Sequence, residues 1–201
     1  MVNTTHDILQ VLRQQLVPVQ DVTFLSDRLE GQQPDARKSA VLLALFERDD
    51  TLFLTFIRRA STLRAHSGEI AFPGGGVESV DFSPVATALR EAEEEIGLKS
   101  TDIEILGALY PVFTVVSNYL IMPIVAFLPD GLGELQLQKS EVDEAILLPL
   151  QGLLDPAIAH TEEWTRNGMT RTIYFYDYGS YRIWGATARI LSMLLEILVA
   201  A

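Results

Sequence analysis

The stretch Phe72–Leu98 (FPGGGVESVDFSPVATALREAEEEIGL) limits what this chain can fold into more tightly than any other. Gly74, Gly75 and Gly76 make a turn, and a polar loop carries the chain to Ser83 and Pro84. Ser accepts hydrogen bonds from the orphan amides of a helix start, and Pro at the first helical position has no amide to lose. The helix should close at Gly97, the usual residue for a left-handed C-cap. Within it Glu91, Glu94 and Glu95 stand at i, i+3 and i+4. At about 100° per residue they share one face, while Glu93 points elsewhere. Arg90 is expected to point away from that face.

Such a cluster is unfavourable on its own. Like charges at these spacings repel by a few tenths of a kcal/mol per pair, and the macrodipole disfavours anions near a helix C-terminus. A solvated acidic face is the plain alternative. A hard divalent cation removes both costs, because Mg²⁺ takes oxygen ligands and is commonly shared between carboxylates and substrate phosphates. Mn²⁺ suits the same donors.

The whole pattern resembles the Nudix box of hydrolases that cleave nucleoside diphosphates linked to another moiety. Its second half is complete in Arg90-Glu91-Ala92-Glu93-Glu94-Glu95-Ile96-Gly97-Leu98. Its first half departs: five residues after Gly75 stands Asp81 rather than Glu, and eight residues rather than seven separate it from Arg90. A second signature precedes it. Arg59-Ala60, Arg64, Gly68 and Phe72-Pro73-Gly74-Gly75, each spaced by three residues, resemble the mark of the coenzyme A pyrophosphatase branch. That branch tends to carry the Asp and the longer loop. The run before Arg59, LTFIRR, matches less well, while Ile183-Trp184-Gly185-Ala186-Thr187-Ala188 resembles the C-terminus of the same branch.

The resemblance implies metal-assisted hydrolysis of a phosphoanhydride. Glu91, Glu94 and Glu95 would hold Mg²⁺ or Mn²⁺, and one of them would accept the water proton; which one stays open. It implies an ion pair between Arg90 and the loop acid, here Asp81. Gly74, Gly75 and Gly76 would let the backbone turn tightly beside the metal, and Gly97 would close the helix. Arg59 and Arg64 become substrate-side cations, since guanidinium forks bind phosphate in bidentate fashion. The implied substrate is coenzyme A, cut to 3′,5′-ADP and 4′-phosphopantetheine. ADP-ribose or another nucleoside diphosphate derivative is the alternative, and a non-catalytic nucleotide-binding module a more distant one. A further carboxylate from a later loop, Glu141 or Glu144, is a candidate beside the reading of a solvated acidic loop.

Composition sets the outer limits. A chain of 201 residues, 48% apolar, is within reach of one compact domain with a real core. It has no cysteine, which excludes disulfides and thiolate sites and is compatible with a reducing cytoplasm. No signal peptide or bilayer-length apolar run is read, so a soluble, cytoplasmic protein is expected. The net charge of −12 disfavours nucleic acid and anionic membranes as partners; for the small nucleotide substrate that the resemblance implies, metal ions at the acidic face and a local arginine cluster would have to reverse the sign where it docks. Gly74–Gly76 lacks a following Lys-Ser/Thr, so a P-loop is not indicated.

In chain order, residues 4–16 read as an amphipathic helix with Ile8, Leu9, Leu12 and Leu16 on one side, for packing or contact in a possible homodimer. Residues 26–37 read as loop. SAVLLALFE and TLFLTFI, joined at Arg48-Asp49-Asp50, read as a hairpin buried on both faces, and EIAF as a short strand. His66 is left outside the site. After the glutamate helix come strands in DIEILGALYPVF and NYLIMPIVAFL, where Pro123 implies an edge or bulge. EVDEAILLPLQGLLD gives a strand and short helix, and residues 161–184 give aromatic-rich strands turned at Tyr178-Gly179-Ser180. GATARILSMLLEILVA is a final helix. The expected fold is a single α/β/α sandwich over residues 1–201, a mixed β-sheet with the 84–96 helix on one side and the C-terminal helix on the other.

Overall fold

The computed structural model describes residues 4–22, 35–63, 66–99, 103–166 and 168–201. Arg37–Arg48 (β1) and Thr51–Arg59 (β2) form the expected hairpin. Asp49 and Asp50 both take positive φ, 50° and 57°, which is the two-residue turn whose twist matches that of antiparallel strands. Ile70–Ala71 (β3) pairs with the end of β2 on the side of β1, and Val142–Pro149 (β8) pairs with β2 along its other side. Tyr119–Leu128 (β7) runs parallel to β1 over its whole length and antiparallel to Glu104–Ala108 (β5) and Val112–Thr114 (β6).

Two local expectations need correction. Gly74–Gly76 is a short strand (β4) rather than a free turn: it pairs antiparallel with Ser39–Val41 of β1, where the β2 partner has run out. Pro123 lies in β7, between β1 and β5, and so within the sheet rather than at its edge. Its carbonyl accepts from the Leu109 amide at 3.0 Å. A strand residue's amide and carbonyl point to the same side, so the missing N–H faces the gap where β5 has ended and β6 has not begun.

Helices cover both faces, as the alternation of β1 requires. Leu43 and Leu45 belong to one buried cluster with Leu9 and Leu12 of Thr5–Gln15 (α1) and Leu191, Leu194 and Leu195 of Gly185–Val199 (α4). Leu42, Ala44 and Phe46 belong to the other, with Ala88, Ala92 and Ile96 of Pro84–Ile96 (α2). The apolar side of α1 is therefore spent inside the chain: Leu9, Leu12 and Leu16 are buried there and are not a dimer contact. Leu150–Leu153 (α3) is the expected short helix after β8.

One feature was not anticipated as a separate layer. Ala159–Arg166 (β9), Met169–Tyr178 (β10) and Tyr181–Trp184 (β11) form a second, three-stranded antiparallel sheet. Its Tyr176 and Ile183 face the α4 cluster, while His160, Trp164, Phe175 and Trp184 stack on its other face. Most of the loop expected at 26–37 lies outside the described residues. No helix among the described residues is long and apolar enough to cross a membrane.

Candidate active site on the glutamate helix

The helix carrying the acids is held at both ends by local chemistry. Ser83 accepts from the Ala86 amide at 3.1 Å, Pro84 opens the first turn, and Gly97 closes it at φ 78°. At Gly97 a side chain would also meet Gln136, so the C-cap and the 134–138 loop share one constraint.

The three carboxylates fan out from one another. Glu95 is buried at 2% exposure and points to the sheet, where its Oε2 accepts the Gly74 amide at 2.9 Å and its Oε1 stands 3.8 Å from Arg59 Nη1. Burial pushes its carboxyl up to about 7, against the pull of that amide and of Arg59. Glu91 is also raised by burial, with Arg90 opposing the shift. Glu94 is exposed at 59%. Gly75 is what makes room for Glu91: a Cβ there would stand 2.5 Å from its Cδ. A side chain at Gly74 would stand 2.6 Å from Val41 Cα, so β4 could not pair so closely with β1.

Arg90 departs from the expectation that it points away. Its Nη2 donates to Glu91 at 3.0 Å and its Nη1 to Glu94 at 3.1 Å. The same guanidinium grips Asp81 with Nε and Nη2, at 3.1 and 3.0 Å, and donates to the Gly76 carbonyl at 3.0 Å. A long side chain beginning one residue before Glu91 reaches around the helix flank, and i to i+4 spacing brings Glu94 to it. Asp81 also accepts from the Glu78 amide and the Thr87 hydroxyl, and Arg90 above all holds its carboxyl below the usual range. Arg90 thus ties the loop to the helix and shields two of the acids.

Of the later acids, Glu141 and Glu144 part company. Glu144 accepts from Arg58 at 3.0 Å and from the Tyr181 hydroxyl at 2.9 Å, joining β8, β2 and β11. Glu141 stands near enough for its charge to raise both Glu91 and Glu95. Its carbonyl accepts the Ala60 amide at 2.8 Å, which fastens it beside Arg59. Nothing in the sequence singled out Glu141 over Glu144, because the choice depends on a strand pairing some eighty residues apart. His66 faces Glu69 at 2.9 Å, apart from the acids. Arg64 lies outside the described residues.

The donor set fits a hard divalent cation. All four carboxylates offer oxygen only, two of them are raised by burial and mutual repulsion, and a bound cation would relieve both. Among the described residues no three ligating side chains already converge, since Arg90 occupies Glu91 and Glu94. Binding would have to draw those two carboxylates off the guanidinium.

Comparison with known proteins agrees with this arrangement. Residues 36–168 match the NUDIX domain family. The chain is 41% identical over 161 residues to the uncharacterized Nudix hydrolase NudL of Photorhabdus laumondii subsp. laumondii, covering 80% of this chain and 84% of that protein. It is 36% identical over 172 residues to the protein of the same name in Escherichia coli, covering 85% and 88%. The crystal structure of a MutT/nudix family protein from Enterococcus faecalis shares the fold with a TM-score of 0.52 at 14% identity, over 98% of this chain and 69% of that one. The matched segment, residues 36–168, contains the glycine strand, Asp81, Arg90 and every acid described above; the chain belongs to the Nudix hydrolase family.

Proposed function

We propose that this Nudix hydrolase cleaves the pyrophosphate bond of coenzyme A or its derivatives, giving 3′,5′-ADP and 4′-phosphopantetheine. The observation that carries the reading is the meeting of the two signatures at one carboxylate. Arg59, which opens the arginine signature, and Gly74, in its closing Phe72-Pro73-Gly74-Gly75 run, both face Glu95 of the glutamate helix. Arg59 Nε is buried with no hydrogen-bond partner among the described residues, so this cation is not fully committed to the fold. A guanidinium beside the acids suits an extra phosphate, and Arg64 would serve the same anion.

In this reading Glu91, Glu94 and Glu95 hold Mg²⁺ or Mn²⁺, with Glu141 near enough to join. When bound, such an ion neutralises the anhydride and acidifies a water molecule. One carboxylate of the set takes the water proton. Arg90 and Asp81 position the loop and helix rather than touching substrate. We also propose one domain for the whole chain, because α1 and α4, outside the family match, share a core with β1.

The test is parallel incubation with coenzyme A, ADP-ribose and a dinucleoside polyphosphate, with Mg²⁺, Mn²⁺ or chelator. Metal-dependent release of 3′,5′-ADP from coenzyme A is expected, reduced about 10²-fold or more in Glu94→Gln and Glu95→Gln proteins that keep their fold. Cleavage of ADP-ribose alone would replace the coenzyme A reading with the nucleoside diphosphate one. No turnover by a folded, metal-loaded protein would leave a nucleotide-binding module.

A further inference from the structure

The second sheet ends in an open edge. Its order is β11-β10-β9, so among the described residues β9 is paired on one side only, and all eight of its residues are exposed. Alternate amides and carbonyls along β9 point away from β10, with no strand among the described residues to receive them. Natural edge strands are commonly blunted by proline, by charged side chains (lysine above all) or by a bulge. β9 (AHTEEWTR) has no proline or lysine, its charges are of both signs (Glu162, Glu163 and Arg166) and can pair across a two-fold, and its register with β10 is unbroken from Ala159↔Tyr176 to Arg166↔Met169. It also displays Trp164 at 46% exposure.

We propose that β9 pairs antiparallel with β9 of a second copy about a two-fold axis at Trp164. The charge pattern selects the partner and the register. A two-fold axis perpendicular to the sheet keeps each face with itself, so the axis must pass through a residue position. Centred on Glu162 or Glu163, it sets identical carboxylates directly opposite, which is unfavourable. Centred on Thr161 or Thr165, it leaves Trp164 unmatched by another aromatic residue. Centred on Trp164, it sets the two indoles opposite each other and places Glu162 opposite Arg166 twice. Arg166 has no carboxylate partner among the described residues; Glu162 Oε2 accepts from the Trp164 indole at 2.7 Å, while its Oε1 stands 3.8 Å from His160 and is open to a guanidinium.

Long-range charge permits the contact. The chain carries −12, which keeps copies apart in general, yet residues 159–184 hold three carboxylates (Glu162, Glu163, Asp177) against three guanidiniums (Arg166, Arg171, Arg182). This is a neutral window in an acidic molecule. Trp164 is already backed by Phe175 and Trp184, with ring centroids 6.1 and 5.9 Å away, so little side-chain freedom remains to be lost on pairing. The overlap is only five residues per strand. A reversible, concentration-dependent dimer is therefore expected, below the roughly 1,600 Å² of a standard interface.

Sedimentation equilibrium across a concentration series tests this. The wild-type chain should show a monomer–dimer equilibrium, and Glu162→Arg, which sets like charges opposite twice, should weaken it about tenfold. The double variant Glu162→Arg with Arg166→Glu should restore it. Both sites are exposed, and circular dichroism checks that each variant keeps the fold. A wild-type chain that stays monomeric at all concentrations would overturn the proposal. So would a dimer indifferent to Glu162→Arg, or one that the double variant fails to restore.

Discussion

Glu95 carries the most informative charge in the molecule. In the metal-free protein its burial pushes the carboxyl up to about 7, well above the ordinary value of about 4.3. The folded state then binds a proton that the unfolded chain releases. The sign follows: the protonated carboxyl contributes its full stability below the ordinary carboxylate range, and that contribution is lost as pH rises through about 7. Chelated protein should therefore melt at progressively lower temperature from about pH 5 to pH 8, and a Glu95→Gln protein should lose less over the same span. A cation competes with the proton for the same oxygens, so added Mg²⁺ should raise the melting temperature more at pH 8 than at pH 5.5. Equal metal shifts at both pH values would show that Glu95 is not coupled to the ion.

At the scale of elements, what could be read early was what local chemistry decides. The limits of α2 follow from Ser83, Pro84 and Gly97, which act on the backbone within one turn of themselves. The β1–β2 hairpin follows from two apolar runs and a two-residue acidic turn. The fate of Gly74–Gly76 was not readable, because three glycines favour a turn until β1 offers them a partner. Pro123 misled for the same reason: its tolerance in β7 depends on a gap between two other strands. The second sheet did leave a mark, the Asn167-Gly168 pair between β9 and β10, a strong hairpin signal beside the later turn at Gly179. Arg90 joins these elements. Its two hydrogen bonds to Asp81 hold that carboxyl below the ordinary range of about 3.9, so the pair contributes stability above that value and loses it as pH falls through the depressed one. Asp81→Asn should thus be less stable than wild type at pH 6 in urea titrations, with the gap closing in acid once pH falls through the depressed value. A gap independent of pH would mean that the carboxylate charge of Asp81 contributes nothing and that only the shape of the side chain matters.

The whole molecule separates its chemistry from its main reserve of packing. The acids of α2 lie on one face of the sheet, and the larger apolar cluster, shared by α1, α4 and the strands, lies on the other. Leu12 is the clean probe of that division. It is fully buried, sits on α1 beyond the sheet from Glu95, and shares its cluster with Leu191 and Leu194 of α4. Truncation to Ala removes apolar surface and leaves a cavity that neighbouring helices fill only in part, at a cost of about 2–5 kcal/mol. The rigid sheet between the two faces has little means of passing that loss to the acids, since β1 is held on both sides by β2, β4 and β7. Leu12→Ala should therefore lower the urea midpoint with an unchanged slope, while kcat and KM per folded molecule stay at wild-type values. If kcat falls in parallel with stability under conditions where the variant is fully folded, the two faces are not independent, and α1 helps to set the geometry of the glutamate helix through the sheet.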